Sequence, residues 1–168
     1  ELWRSDGTEG GTIIASNISE YGDANPQGLT SYNGALYFSA DDDTNGRELW
    51  RADGASTTRV KDIYDGSDSS VPTYLTEFGG KLYFRAQSAA TGIELWVTDG
   101  TNAGTNLVKD INPAGNSEPW AFKAHGSYLY FDATDADHGS ELWRTDGTEE
   151  GTQIVQDYAS GTDSSYPW

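Results

Sequence analysis

Glu141-Leu142-Trp143-Arg144-Thr145-Asp146-Gly147-Thr148 decides the fold, because its core returns three more times in the chain. Glu-Leu-Trp also stands at Glu1-Leu2-Trp3, Glu48-Leu49-Trp50 and Glu94-Leu95-Trp96, which sets spacings of 47, 46 and 47 residues. Asp-Gly follows each Trp, at Asp6-Gly7, Asp53-Gly54, Asp99-Gly100 and Asp146-Gly147. Three copies continue into Gly-Thr, at Gly11-Thr12, Gly104-Thr105 and Gly151-Thr152, and then into an apolar-alternating stretch ending at Ile18, Ile111 or Tyr158. The second copy is two residues shorter between Asp53 and Ile63. A deletion tolerated there marks a hairpin tip.

The other half of the repeat is stricter. From Pro26, Pro72 and Pro119 it is always 12 residues to Phe38, Phe84 and Phe131, and another 12 to Trp50, Trp96 and Trp143. Constant spacing implies a constrained pairing register. Leu36-Tyr37-Phe38, Leu82-Tyr83-Phe84 and Leu129-Tyr130-Phe131 read as strands that place Leu and Phe on one face and Tyr on the other. Each follows a turn signal, at Asn33-Gly34, Gly79-Gly80 and His125-Gly126. In the third copy this predicts four strands, around Leu75-Thr76, Leu82–Ala86, Glu94–Val97 and Asn106–Ile111.

No segment carries a 3.6-residue apolar period. Four antiparallel strands recurring every 40–50 residues without helices predict an all-β array of β-propeller-type blades. On this reading residues 1–18 are an outer half-blade, 27–63, 73–111 and 120–158 are blades, and 159–168 link toward a missing next blade. The chain is one repeat array of about three and a half blades. A sheet of this size cannot bury both of its faces, so neighbouring sheets must cover it.

The 168 residues hold 10 Lys+Arg against 27 Asp+Glu, a net charge of −17. A surface so acidic excludes nucleic acid and anionic membranes as partners. Apolar content is 35%, below the roughly 45–50% of average globular chains. The apolar layers therefore belong between thin sheets rather than in one large core. The absence of Cys removes disulfide scaffolds, thiol catalysis and thiolate metal sites. No apolar run is long enough for membrane insertion. The absence of Met, with Glu1 leading straight into a strand, suggests a piece of a longer protein, and the composition suits an extracellular or cell-surface location.

The words Glu48-Leu49-Trp50-x-x-Asp53-Gly54 and Glu141-Leu142-Trp143-x-x-Asp146-Gly147-Thr148, with Gly151-Thr152 and Val155-x-Asp157, resemble the bacterial ELWxxDGT repeat family over essentially the whole chain. The resemblance implies a large secreted or surface-associated parent protein and says little about activity. Copy two departs from it, with Ala55 in place of Thr and Thr57-Thr58 in place of Gly-Thr. Copy one departs at Ala15-Ser16-Asn17.

Trp50, Trp96 and Trp143, with Glu48, Glu94 and Glu141 two residues before them on the same face, form the candidate ligand-binding set. An aromatic face can stack on a sugar ring while a carboxylate receives its hydroxyls. The packing alternative makes each Trp an inter-sheet filler and each Glu a buried acceptor for backbone N–H groups or for the hydroxyls of Thr12, Thr105 and Thr152. Asp41, Asp43 and Asn45 open like a calcium loop, but Leu49 and Ala52 stand where further ligands belong, so calcium competes with a solvated acidic hairpin.

Only His125 and His138 are present, neither recurs, and no nucleophile motif stands out, so the chain reads as no enzyme and needs no cofactor. The leading expectation is a non-catalytic extracellular structural or adhesive repeat. Its partners are other blades of the parent protein or further copies of the same chain, up to an open filament. The alternative is a multivalent carbohydrate-binding, lectin-like propeller with glycan sites between blades.

Overall fold

The structure is a computed structural model that describes residues 1–165. All regular structure among these residues is β, in four antiparallel sheets. The chain divides into two compact units, 1–72 and 73–168.

The first unit opens with a two-stranded sheet of β1 (Leu2–Arg4) and β2 (Ile13–Ser16). It continues with a four-stranded sheet of β3 (Gln27–Tyr32), β4 (Ala35–Asp41), β5 (Arg47–Ala52) and β6 (Thr57–Lys61), paired in chain order. The second unit holds two more sheets of the same order. One is β7 (Thr73–Phe78), β8 (Lys81–Ser88), β9 (Gly92–Thr98) and β10 (Asn106–Lys109). The other is β11 (Trp120–His125), β12 (Tyr128–Asp135), β13 (Gly139–Thr145) and β14 (Gln153–Gln156).

Register follows the repeat. Phe38 faces Trp50, Phe84 faces Trp96 and Phe131 faces Trp143 across the two central strands of their sheets. The β3–β4 hairpin turns on Asn33 and Gly34, both at positive φ (45° and 74°), the twist that suits two-residue hairpins. The first strand of each complete sheet carries a register shift, at Gln27/Thr30, Thr73/Thr76 and Trp120/Lys123. Its cause is a left-handed residue two after each Pro: Gly28, Tyr74 and Ala121.

Both faces of the second strand are covered. Leu82 and Phe84 on one side and Tyr83 on the other are all buried, so the polar–apolar alternation of a half-exposed sheet is missing. Within the second unit Tyr83, Leu95, Val97, Val108 and Ile111 of the 73–111 stretch pack with Leu129, Phe131, Ala133 and Trp143 of the next sheet. Within the first, Leu2 of β1 packs with Phe38, Ala40 and Trp50.

The last strand of each complete sheet stops two residues earlier than the apolar pattern predicts, at Lys61, Lys109 and Gln156 rather than at residues 63, 111 and 158. The reason is chemical: the N–H groups of Ile63, Ile111 and Tyr158 leave the ladder to donate to buried carboxylates. The first strand of the third copy is broader than predicted, running from Thr73 to Phe78. The link expected over 159–168 falls partly outside the described residues.

Candidate functional site

The Glu of each Glu-Leu-Trp in a complete sheet is fully buried. Glu48 accepts the N–H groups of Ile63 (3.0 Å), Tyr64 (3.2 Å) and Ser70 (3.2 Å) and the Ser70 hydroxyl (2.6 Å). Glu94 accepts N–H from Ile111 (3.0 Å) and Ser117 (3.1 Å) and the Ser117 hydroxyl (2.6 Å). Glu141 accepts N–H from Tyr158 (3.3 Å) and Ala159 (3.2 Å) and the Ser165 hydroxyl (2.6 Å). Each carboxylate thus clamps the end of its own sheet's last strand to the connector that leaves that sheet.

The donors are not the ones expected. Thr105 and Thr152 donate to the carbonyls of Thr101 (2.7 Å) and Thr148 (2.6 Å), and Thr12 donates to that of Thr8 (2.8 Å). They close the Asp-Gly-Thr turns instead of serving the Glu. The missed serine carried a readable signal, since Ser70-Val71-Pro72, Ser117-Glu118-Pro119 and Ser165-Tyr166-Pro167 share Ser-x-Pro. The first copy has Ala24-Asn25-Pro26 at this place, and its Glu1 is exposed.

Burial sets the electrostatics of the clamp. It pushes the Glu48 carboxyl above its ordinary range, and it pushes Glu94 to about 7, against the opposing pull of the Ser117 hydroxyl and the Ile111 and Ser117 N–H groups. Burial raises Glu141 as well, but the hydrogen bonds from Ser165, Tyr158 and Ala159 outweigh it and hold that carboxyl below the usual range. The Glu94 carboxyl is fully buried among the Ile111 and Ser117 donors.

Trp50, Trp96 and Trp143 are between 5% and 9% exposed. The Trp50 indole N–H donates to the Ala40 carbonyl at 3.1 Å. The Trp143 ring lies in the core between the two sheets of its unit, with Lys109 6.0 Å from its centroid. All three rings are buried, and Trp50 also borders a surface hollow beside Ile18, Tyr21 and Thr44.

The Asp-Gly-Thr words form self-contained turns. Asp99 accepts both the N–H (2.9 Å) and the hydroxyl (2.7 Å) of Thr101, whose Oγ1 in turn accepts the Gly104 N–H (3.0 Å). The same contacts recur around Asp146 and Asp6. A Cβ placed on Gly11, Gly104 or Gly151 would overlap the Asp carboxylate of its own turn, which explains the Gly of Gly-Thr by space rather than by dihedral angle. In the shortened second copy Asp53 instead accepts N–H from Ala55 and Ser56, and these hold its carboxyl at about 2.

The acidic hairpin between β4 and β5 is not the arrangement expected of a calcium loop. Asp43 accepts the Ser19 hydroxyl and the Tyr21 N–H (3.0 Å), Asp41 accepts the Asp43 N–H (2.9 Å), and Asn45 donates to Asp62 (3.0 Å). The three side chains serve three different partners, and the residues present do not fit a shared calcium ion. Nor is the hairpin merely solvated, since Asp43 fastens the 19–21 segment to it. No group of three or more His, Asp or Glu side chains among the described residues is placed to hold a metal.

Comparison with protein-family models gives no match, and comparison with curated proteins gives none. Among solved structures, the crystal structure of the computationally designed Ika8 protein is similar at 14% sequence identity with a TM-score of 0.43. The match covers 83% of this chain and 38% of that one, so the chain spans well under half the length of the structure it matches. No helix among the described residues is long and apolar enough to cross a membrane.

Proposed function

We propose that this chain is a non-catalytic structural repeat module of the ELWxxDGT type, part of an extracellular or cell-surface β-propeller-like array. One observation carries the reading: in the three complete sheets the strictly repeated side chains are consumed by the fold. The Trp rings fill the cores, the Glu carboxylates clamp connectors, and the Asp-Gly-Thr words close turns. What is left for contact with the outside is a rigid acidic surface.

The module takes its partner at the two-stranded sheet. In the three complete sheets the Glu-Leu-Trp strand lies between two neighbours, whereas among the described residues β1 pairs only with β2. Its Trp3 is 56% exposed, and Ile13 and Ile14 of β2 are exposed beside it. A free strand edge with apolar side chains accepts further strands. Strands of the β3–β4 kind, from flanking repeats or from a further copy of this chain, complete it.

Sedimentation of the chain across micromolar concentrations, read with amide hydrogen exchange, tests this. The expected result is fast exchange of the Leu2–Arg4 amides in the monomer and protection on self-association or when flanking repeats are joined. A monomer at every concentration with those amides already protected would overturn it.

A further inference from the structure

The last sheet shows to solvent a face that the sheet before it keeps covered. Within the second unit, Tyr83, Leu95, Val97, Val108 and Ile111 are at most 7% exposed and pack with Phe131, Trp143 and their neighbours in the next sheet. The same repeat positions in the last sheet are held by Tyr130, Leu142, Arg144, Val155 and Tyr158. None of these five is buried, and Val155 and Tyr158 reach 38% and 59% exposure.

The complementary face is exposed on the same chain. Trp143 and Ile154, directly opposite each other on β13 and β14, both pack into the covered contact of the second unit. Their counterparts in the first copy are Trp3 and Ile14, opposite each other on β1 and β2 in the same way. Trp3 is 56% exposed and Ile14 45%. The other side of that first sheet is already in use, since Leu2 packs with Phe38, Ala40 and Trp50. The first and last sheets thus each present one half of a contact that is complete inside the second unit.

The complete contact also has a polar part. The Lys109 ammonium lies 6.0 Å from the Trp143 ring centroid and donates to the Thr152 carbonyl at 2.8 Å. In the last sheet Gln156 holds the Lys109 position and is exposed, and the counterpart of Thr152 in the first copy is Thr12. Arg144, at the Val97 position, lies over the Tyr128 ring of its own sheet at 4.5 Å from the centroid.

We infer that the Tyr130, Val155 and Tyr158 face of the last sheet docks the Trp3 and Ile14 face of a second copy of this chain, head to tail. The inference rests on the reading of the chain as a repeat module, but the surface is a sheet face and not the free edge of β1. A second copy is the occupant because it offers the same Trp and Ile, paired in the same register, that already fit this surface one sheet earlier. Apolar area leaving water on both sides drives the contact. A net charge of −17 on each copy opposes it, so salt that screens the repulsion strengthens it. The contact joins two different surfaces, and every open oligomer keeps one unused face of each kind.

The test is sedimentation of the full chain from micromolar to millimolar concentration, at low and high salt, beside Trp3→Glu and Val155→Glu. The parent chain is expected to form oligomers that grow with concentration and with salt, and each variant is expected to stay monomeric. An equimolar mixture of the two variants is expected to form dimers and nothing larger, because Trp3→Glu keeps the last face and Val155→Glu keeps the first. Gln156→Lys is expected to tighten association severalfold by returning an ammonium to the Trp3 ring and the Thr12 carbonyl. Should Val155→Glu fail to fold, Tyr158→Ser, at a more exposed position, is expected to weaken association at least tenfold. Strand addition at the β1 edge would instead protect the Leu2–Arg4 amides and survive Val155→Glu, so the two readings fail separately. A parent chain that is monomeric throughout, association undiminished in the folded variants, or a mixture that stays monomeric or grows past dimers would each overturn the inference.

Discussion

Glu1-Leu2-Trp3 and Glu141-Leu142-Trp143 are the same three residues in two different surroundings. Trp143 is 5% exposed and packs with Val97 and Val108 of the preceding sheet, whereas Trp3 is 56% exposed. Glu141 is sealed by Ser165 and two backbone N–H groups, whereas Glu1 is exposed, and Ala24 stands where the clamp serine recurs. The motif therefore does not create its own environment. It becomes a core element only when a preceding sheet covers the Trp and a following Ser-x-Pro connector supplies donors to the Glu.

The largest effect expected from this contrast is at the Trp. Trp143→Ala removes a ring from a closed inter-sheet core and is expected to cost about 3–5 kcal/mol, the range for buried aromatic truncation. Trp3→Ala is expected to cost less than about 1 kcal/mol, as for a surface change. Denaturant unfolding of the two variants side by side measures the difference. Equal losses would mean that β1 is as well covered as β13.

The clamp gives the next effect, and pH reveals it. Glu94 rises from 4.5 toward about 7 because burial disfavours its ionised form. A raised carboxyl means that the unfolded chain ionises first, so the stability that Glu94 contributes is fully present below pH ~4.5 and is lost as pH climbs through 7. That displacement corresponds to about 3 kcal/mol at most. Glu94→Gln is expected to flatten this decline relative to the parent chain when unfolding is followed from pH 4.5 to 8.

Ser117→Ala isolates the hydroxyl. It removes one hydrogen-bond donor from a buried carboxylate and is expected to cost about 1–3 kcal/mol. Ala24→Ser, the reverse change in the first copy, is expected to bring no gain, because the Glu it would serve lies outside any clamp. A stabilising Ala24→Ser would show that Glu1 is within reach after all.

Much of the architecture was legible because one period carried it. The four Glu-Leu-Trp words, the constant Pro-to-Phe-to-Trp spacing and the Asn33-Gly34 turn together dictate four antiparallel sheets and their registers. The sites were harder to read for three physical reasons. The partners of Glu94 sit 17 and 23 residues away, and two of its three donors are backbone N–H groups, which no side-chain pattern announces. The Asp41-Asp42-Asp43 run looks like a cation loop until Asp43 is seen to hold Ser19 and Tyr21. Ser70 and Ser117 stand in recurring Ser-x-Pro words, but their spacing does not show that they serve Glu48 and Glu94.

The turns set the limit of the comparison, because they are the one part of the motif that needs no neighbour. Asp6 holds Thr8 in the two-stranded sheet with the contacts that Asp146 makes to Thr148 in a complete one. Gly11 and Gly151 each lie against that Asp, while Gly10, one residue away, has open space. Gly11→Ala and Gly151→Ala are therefore expected to disturb their turns equally, by about 1–2 kcal/mol of local strain, and Gly10→Ala by far less. Hydrogen exchange at the Thr12 and Thr152 amides reads the local loss in each case. Adding Asp6→Ala or Asp146→Ala should relieve most of the overlap, so that each double variant costs less than the sum of its singles. If the Gly11 variant proves silent while the Gly151 variant does not, the turn is held by the surrounding sheet rather than by its own Asp, and even this smallest unit of the repeat depends on what lies next to it.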